Sequence, residues 1–145
     1  MEPVTIEPIG VVWNGERDLG RRDWTRVKSW IELRDGLCGA LLGLDGYSHV
    51  IVLGWLDRLP EELRERLTAH PSGDERLPLQ GAFALRGARP NPISTTVCRL
   101  LKIDGNRLRV EGLDLVDGTP VLDVKPYIAF YDAVPGATIP RWAEG

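Results

Sequence analysis

The chain has 145 residues, 43% hydrophobic and 27% charged, with a formal net charge of −3 and a pI near 5.4. That length suits one domain with a real core rather than two independent ones. The charge excludes an overall basic field of the kind that draws a protein to nucleic acid, while a local basic patch stays open.

In chain order, "IEPIGVVW" (6–13) reads as a strand and "NGERDLGRRD" as a polar, glycine-rich loop. "WTRVKSWIEL" (24–33) alternates loosely and reads as a second strand, and "GLCGALLGLDGY" as a short helical turn between glycines. "YSHVIVLGWL" is β-branched, almost continuously apolar and bounded by turn residues, the pattern of a strand buried on both faces. "PEELRERLTAH" reads as a helix. Pro60 sits in its first turn, Glu61 and Glu62 follow at the positive end, and Arg64 and Arg66 come later. Leu59, Leu63 and Leu67 recur at four-residue steps and would pack one face on a sheet.

"PSGDERLPLQ" is a loop and "GAFAL" (81–85) a short strand. "TTVCRLLKI" and "NRLRVEGLDL" flank Asp104-Gly105, a hairpin signal because Asp-Gly tolerates positive φ. Arg107 and Arg109 alternate with Leu108 and Val110, so one hairpin face is wet. "VDGTP" turns into the short strand "VLDVK", and the tail from Pro126 reads as an extended aromatic arm packed over something. Strands dominate and strand–helix alternation is absent. The expected fold is mainly β, an antiparallel barrel-like sheet with one or two short helices, a single domain over residues 1–145 and no Rossmann unit.

The start, "MEPVTIEPIG", has acids and prolines where a signal peptide needs a basic start and an apolar run. "VIVLGWL" is too short to span a bilayer. Cys38 and Cys98 are far apart, and neither they nor His49 and His70 have neighbours at metal-ligand spacing. The expectation is a soluble, cytoplasmic, metal-free protein with two reduced, half-buried thiols.

Polar residues cluster in "LRGARPNPIS" and "GLDLVDGTPVLDVKPY". Pro90 and Pro92 stiffen the first, forcing Arg89 and Asn91 toward extended geometry. Asn91 can donate and accept, which suits an adenine edge or an amino-acid head group; Arg89 can fork to a carboxylate or phosphate. The plainer alternative is a turn-former beside a surface cation. In the second, Asp117-Gly118 reads first as a turn. Asp114 lies between Leu113 and Leu115, where a solvated carboxylate is unexpected; a buried acid there needs partners such as ribose hydroxyls or an ammonium. Asp123 and Lys125 share a strand face and pair with one another. Arg21, Arg22, Arg26 and Lys28 beside Trp24 and Trp30 form either a basic aromatic patch or a solvated loop with core tryptophans. No GxGxxG, GxxxxGK[ST] or HExxH occurs, and Ser48-His49 lacks an acid partner.

Taken together, "RPNPISTTVCRLLKIDG" and "LRVEGLDLVDGTPVLDVKPYI" resemble the signature region of the TsaA-like family of S-adenosylmethionine-dependent tRNA methyltransferases, and "IGVVW" and "GYSHVIVLGWLDR" resemble its earlier segments. The resemblance implies a β-barrel enzyme, a homodimer with the aromatic arm on its partner, and methylation of a threonylcarbamoyl-adenosine beside the tRNA anticodon. By motif position it implies cofactor contacts from Arg86, Arg89, Thr95, Leu113 and Asp114, with Asp57 and Arg58 in the place of another contacting pair. Asn91, Asp114 and Asp117 are the implied catalytic set, with one of the acids as proton acceptor. Alternatives are a small-molecule or other RNA acceptor, or a binding module without catalysis. Two departures stand out: "NGERDLGRRDWTRV" replaces the family's usual stretch after the first strand, and Ser94 stands where a glycine is usual. The chain reads as a short form without the C-terminal domain.

Overall fold

In a computed structural model, residues 1–18, 20 and 22–144 are described. Along the chain the strands are β1 (Gly10–Trp13), β2 (Lys28–Leu33), β3 (His49–Trp55), β4 (Thr68–Ala69), β5 (Gln80–Gly81), β6 (Ile93–Asp104), β7 (Arg107–Glu111) and β8 (Pro120–Pro126), with two short helices, α1 (Glu61–Glu65) and α2 (Ala129–Asp132). Two compact units result: Met1–Arg58 with Ile93–Tyr127, and Leu59–Pro92 with Ile128–Gly145.

The first unit is a closed barrel in the order β1-β2-β7-β6-β3-β8, with every neighbour antiparallel. Its strands alternate as the pleat requires. Val12, Ile31, Val50, Val52, Cys98, Leu108, Val110 and Val121 fill the interior with 1% exposure or less. Each large aliphatic contributes roughly 1.5–3 kcal/mol by leaving water. The irregular segment 112–119 adds Leu113 and Leu115 to the same core. The mainly β, barrel-forming, non-Rossmann expectation holds.

Individual elements differ from their local reading. β3 lies between β6 and β8, yet only alternate residues are fully buried, because a barrel strand has one interior face and one outer face. β1 starts at Gly10; residues 6–9 carry no ladder, although Ile9 exchanges backbone bonds with Val121 and Arg34. Residues 24–26 form a 3₁₀ turn before β2. The two-residue hairpin loop is Gly105-Asn106, since Asp104 pairs with Arg107. Gly105 supplies the positive φ, +60°, and Asn106 ties the loop to the Leu33 carbonyl at 2.8 Å.

In the second unit the helix stops at Glu65. Arg66 is extended, the Leu67 carbonyl accepts from Ala82 N–H at 2.8 Å, and β4 pairs with β5. Leu67 is therefore 74% exposed rather than part of a buried stripe. Of "GAFAL" only Gly81 lies in a strand, the end of β5, and Ala82–Ala84 form a 3₁₀ turn. The tail forms α2 and a final 3₁₀ turn and leaves Phe130 87% and Tyr131 78% exposed. Among the described residues, no helix is long and apolar enough to cross a membrane.

Candidate functional site

The register of β3 and β6 fixes which hydroxyls look inward. Val52, fully buried, pairs with Thr96, while Leu53 pairs with Thr95. Thr96 thus faces the interior at the barrel mouth and Thr95 stands exposed on the outer wall. Thr96 Oγ1 donates to Asp114 Oδ1 at 2.6 Å. Asp114 is exposed, not buried: the 112–119 segment turns its leucines inward and its acid out, so solvent and one hydroxyl meet the carboxylate's needs. Leu113 is fully buried, so only its backbone is left to meet a ligand. Below the mouth, burial pushes the Cys98 thiol up to about 12, with the Asp114 charge adding to the effect.

Asp117 braces the loops. Its Oδ1 accepts the backbone N–H groups of Asn14 and Gly15 at 2.7 and 3.0 Å. Those bonds, then the nearby Arg17 and Arg58 charges, hold its carboxyl below the usual range despite some opposing desolvation. Asn14 completes the joint, donating to Ser29 Oγ at 3.0 Å and to the Leu115 carbonyl at 2.8 Å. Arg58 donates to the backbone carbonyls of Asp117 and Arg17 at 2.5 and 3.3 Å, so its guanidinium is engaged in the same brace. Asp57 next to it is exposed.

Ser94 has a definite partner too. Its Oγ accepts the Gly54 N–H at 3.1 Å, and a Cβ on Gly54 would stand 2.6 Å from Leu115 Cδ1 and 2.7 Å from that same Oγ. Only glycine fits between them.

In the second unit, the proline-stiffened turn uses its arginine for itself. Arg89 is half-buried, donates to the Leu85 carbonyl at 2.9 Å and lies 5.7 Å from the Phe83 ring centre. Arg64 donates to the Pro90 carbonyl at 2.9 Å. Asn91 stays exposed, and its side chain makes no hydrogen bond among the described residues. Arg86 lines a cavity of about 400 Å³ with Arg66, Thr68, His70, Ser72 and Trp142. Among the described residues this lining holds no carboxylate.

Asp123 and Lys125 pair as the sequence suggests, at 3.4 Å. Both cysteines are free, but neither is half-buried: Cys38 is exposed and Cys98 is in the core. Near the first loop, Arg22 is ion-paired with Glu16 and Asp18 and lies 4.8 Å from the Trp24 ring centre; Arg21 lies outside the described residues. Trp24 and Trp30 are half-exposed and not core residues. Local reading missed Thr96, Asn14 and Ser29, since an adjacent threonine pair shows which member faces inward only once the register is known, and it marked Ser94 as a departure without its bond to Gly54.

The family model described as the tRNA-methyltransferase O N-terminal domain matches residues 21–133. A protein of Archaeoglobus fulgidus named as a probable S-adenosyl-L-methionine-binding protein is 41% identical over 97% of this chain and 38% of its own length. A Mus musculus tRNA (adenine(37)-N6)-methyltransferase is 38% identical over 65% of this chain and 22% of its own. The crystal structure of TrmO from P. aeruginosa superposes with a TM-score of 0.77 at 31% identity, covering 98% of this chain and 62% of that one. The chain thus spans 62% or less of the length of each of these longer proteins.

Proposed function

This chain belongs to the tRNA-methyltransferase O N-terminal domain family, and on that premise we propose that it is an S-adenosylmethionine-dependent methyltransferase acting on the exocyclic N6 of a (threonylcarbamoyl-)adenosine in tRNA. The observation that carries the reading is the exposed Asp114 carboxylate, oriented by Thr96 at the mouth of a closed barrel. When bound, S-adenosylmethionine supplies a methyl group on a sulfonium, already activated for transfer to a nitrogen.

The residues fit such a group. Asp114 keeps lone pairs free for ribose hydroxyls or an ammonium, and exposed Asp57 offers a second acceptor. Thr95 and the Leu113 backbone are the barrel's other proposed cofactor contacts. In the second unit, the cavity lined by Arg66, Arg86, Thr68 and Ser72 is proposed to take a carboxylate. Arg58 and Arg89 support the binding loops through backbone carbonyls. Asn91, whose side chain makes no hydrogen bond among the described residues, is proposed to grip the acceptor base. The chain's chemical work is alignment and acceptance of the N6 proton, for which Asp114 is the stronger acid–base candidate. Asp117, already accepting two N–H groups and lowered in pKa, is proposed to brace the site.

Residues 1–145 are taken as one family domain working in the cytoplasm, where tRNA is modified. We propose a homodimer, supported by the exposure of Phe130, Tyr131, Val134 and Ile139. Light scattering of wild type and of Phe130→Ser/Tyr131→Ser tests it: a dimer that becomes a monomer supports the proposal, and a monomeric wild type overturns it.

The functional test is calorimetric titration with S-adenosylmethionine, followed by mass spectrometry of tRNA nucleosides. Micromolar binding and an added methyl on adenosine support the reading. Binding with no transfer to tRNA points to a cofactor-binding module or another acceptor, and no binding up to millimolar overturns the methyltransferase reading.

A further inference from the structure

Trp30, Arg109 and Lys102 stand in one row across β2, β7 and β6: Trp30 opposite Arg109, and Arg109 opposite Lys102. Measured to the indole centre, the Arg109 guanidinium lies at 5.1 Å, the Lys102 ammonium at 5.4 Å and the Arg107 guanidinium at 4.5 Å. The rows on either side are balanced. Glu32, Arg107 and Asp104 alternate in sign across the three strands, and so do Lys28, Glu111 and Arg99. The middle row breaks the pattern by setting two cations directly opposite each other, an arrangement that costs stability.

Arg107 has Asp104 at 3.6 Å, but among the described residues neither Lys102 nor Arg109 has a carboxylate within 4.0 Å. The indole offsets part of the repulsion through its π face. In a chain of net charge −3, acids are plentiful, and their absence from this row is a local exception. The cations near Trp24 differ: there Arg22 is neutralised by Glu16 and Asp18.

We propose that the Trp30–Arg109–Lys102 row is a docking surface for the phosphate backbone of RNA, which supplies the negative charge the sheet withholds. The inference rests on the reading of the acceptor as an RNA. Because cations cover the indole, the contact is with phosphates rather than with a stacked base, and it is indifferent to base sequence.

The test is fluorescence anisotropy of labelled tRNA, and of an unrelated RNA hairpin, across a salt series. Wild type is compared with Lys102→Gln, Arg109→Gln and the double variant, and S-adenosylmethionine affinity is measured alongside. The expected result is a fall of about 0.8 in the magnitude of the negative slope of log affinity against log salt for each cation removed. The fall should be the same for both RNAs, with cofactor affinity unchanged and a thermal midpoint at or above wild type. A wild-type slope in the double variant overturns the docking surface while leaving the methyltransferase reading intact. If wild type binds neither RNA, or binds only anionic vesicles, the docking surface is overturned; if tRNA is also never methylated, both readings fall.

Discussion

The Thr96 hydroxyl donates to the Asp114 carboxylate at 2.6 Å across eighteen residues of chain, joining the inner face of β6 to the loop that closes the barrel mouth. If that carboxylate holds the cofactor, Asp114→Asn weakens S-adenosylmethionine binding at least tenfold, about 1.4 kcal/mol. Thr96→Val, which only frees the carboxylate to rotate, weakens it a few-fold. Calorimetric titration checks both, and equal losses would contradict an orienting role for Thr96.

Gly54→Ala forces a methyl group against Leu115 and the Ser94 hydroxyl. Overpacking of this kind costs about 1–3 kcal/mol. Chemical denaturation should show that loss. Adding Ser94→Gly should recover part of it, because one of the two obstructing atoms is removed.

Asp117 gives a pH-dependent term. Its folded-state pKa lies below that of an ordinary aspartate, so the ionised form is favoured by folding. The stabilisation is fully present above the unfolded value and is lost as pH falls through the folded one. Asp117→Asn should therefore be less stable than wild type at pH 7, with the gap closing in acid. Denaturation curves at pH 7 and pH 3 check the sign.

The thiols should separate cleanly. Cys38 is exposed, while Cys98 is 1% exposed with its pKa pushed up to about 12. At pH 8 a thiol reagent should modify one cysteine in the folded protein and the second only after denaturation. Mass spectrometry of the labelled peptides should place the first label on Cys38.

Much of the barrel was legible because strand patterning is local. Leu108 and Val110 face in while Arg107 and Arg109 face out, as their alternation in the sequence requires. The helix was misjudged for the opposite reason. Residues 66–70 carry the helix-forming Arg66 and, in Leu67, the last step of the leucine spacing, but pairing of Thr68–Ala69 with Gln80–Gly81 satisfies backbone groups that a longer helix would have satisfied within itself. Asp114 was expected to be buried because its neighbours in sequence are; in an extended segment, neighbours point to opposite sides.

The sequence alone determined the chemistry available and its family: the RPNP turn, the GLDLVDG segment and the alternating strands, each readable within a few residues. Tertiary structure alone decided which of those groups are free to act. Arg58 and Arg89 became struts, Asp117 a clamp, Asn91 stayed open, and Thr96 rather than Thr95 met Asp114. The cause is register. The side a residue faces and the carbonyl within its reach depend on how distant strands are aligned, and one residue of slip would exchange every inward side chain for an outward one.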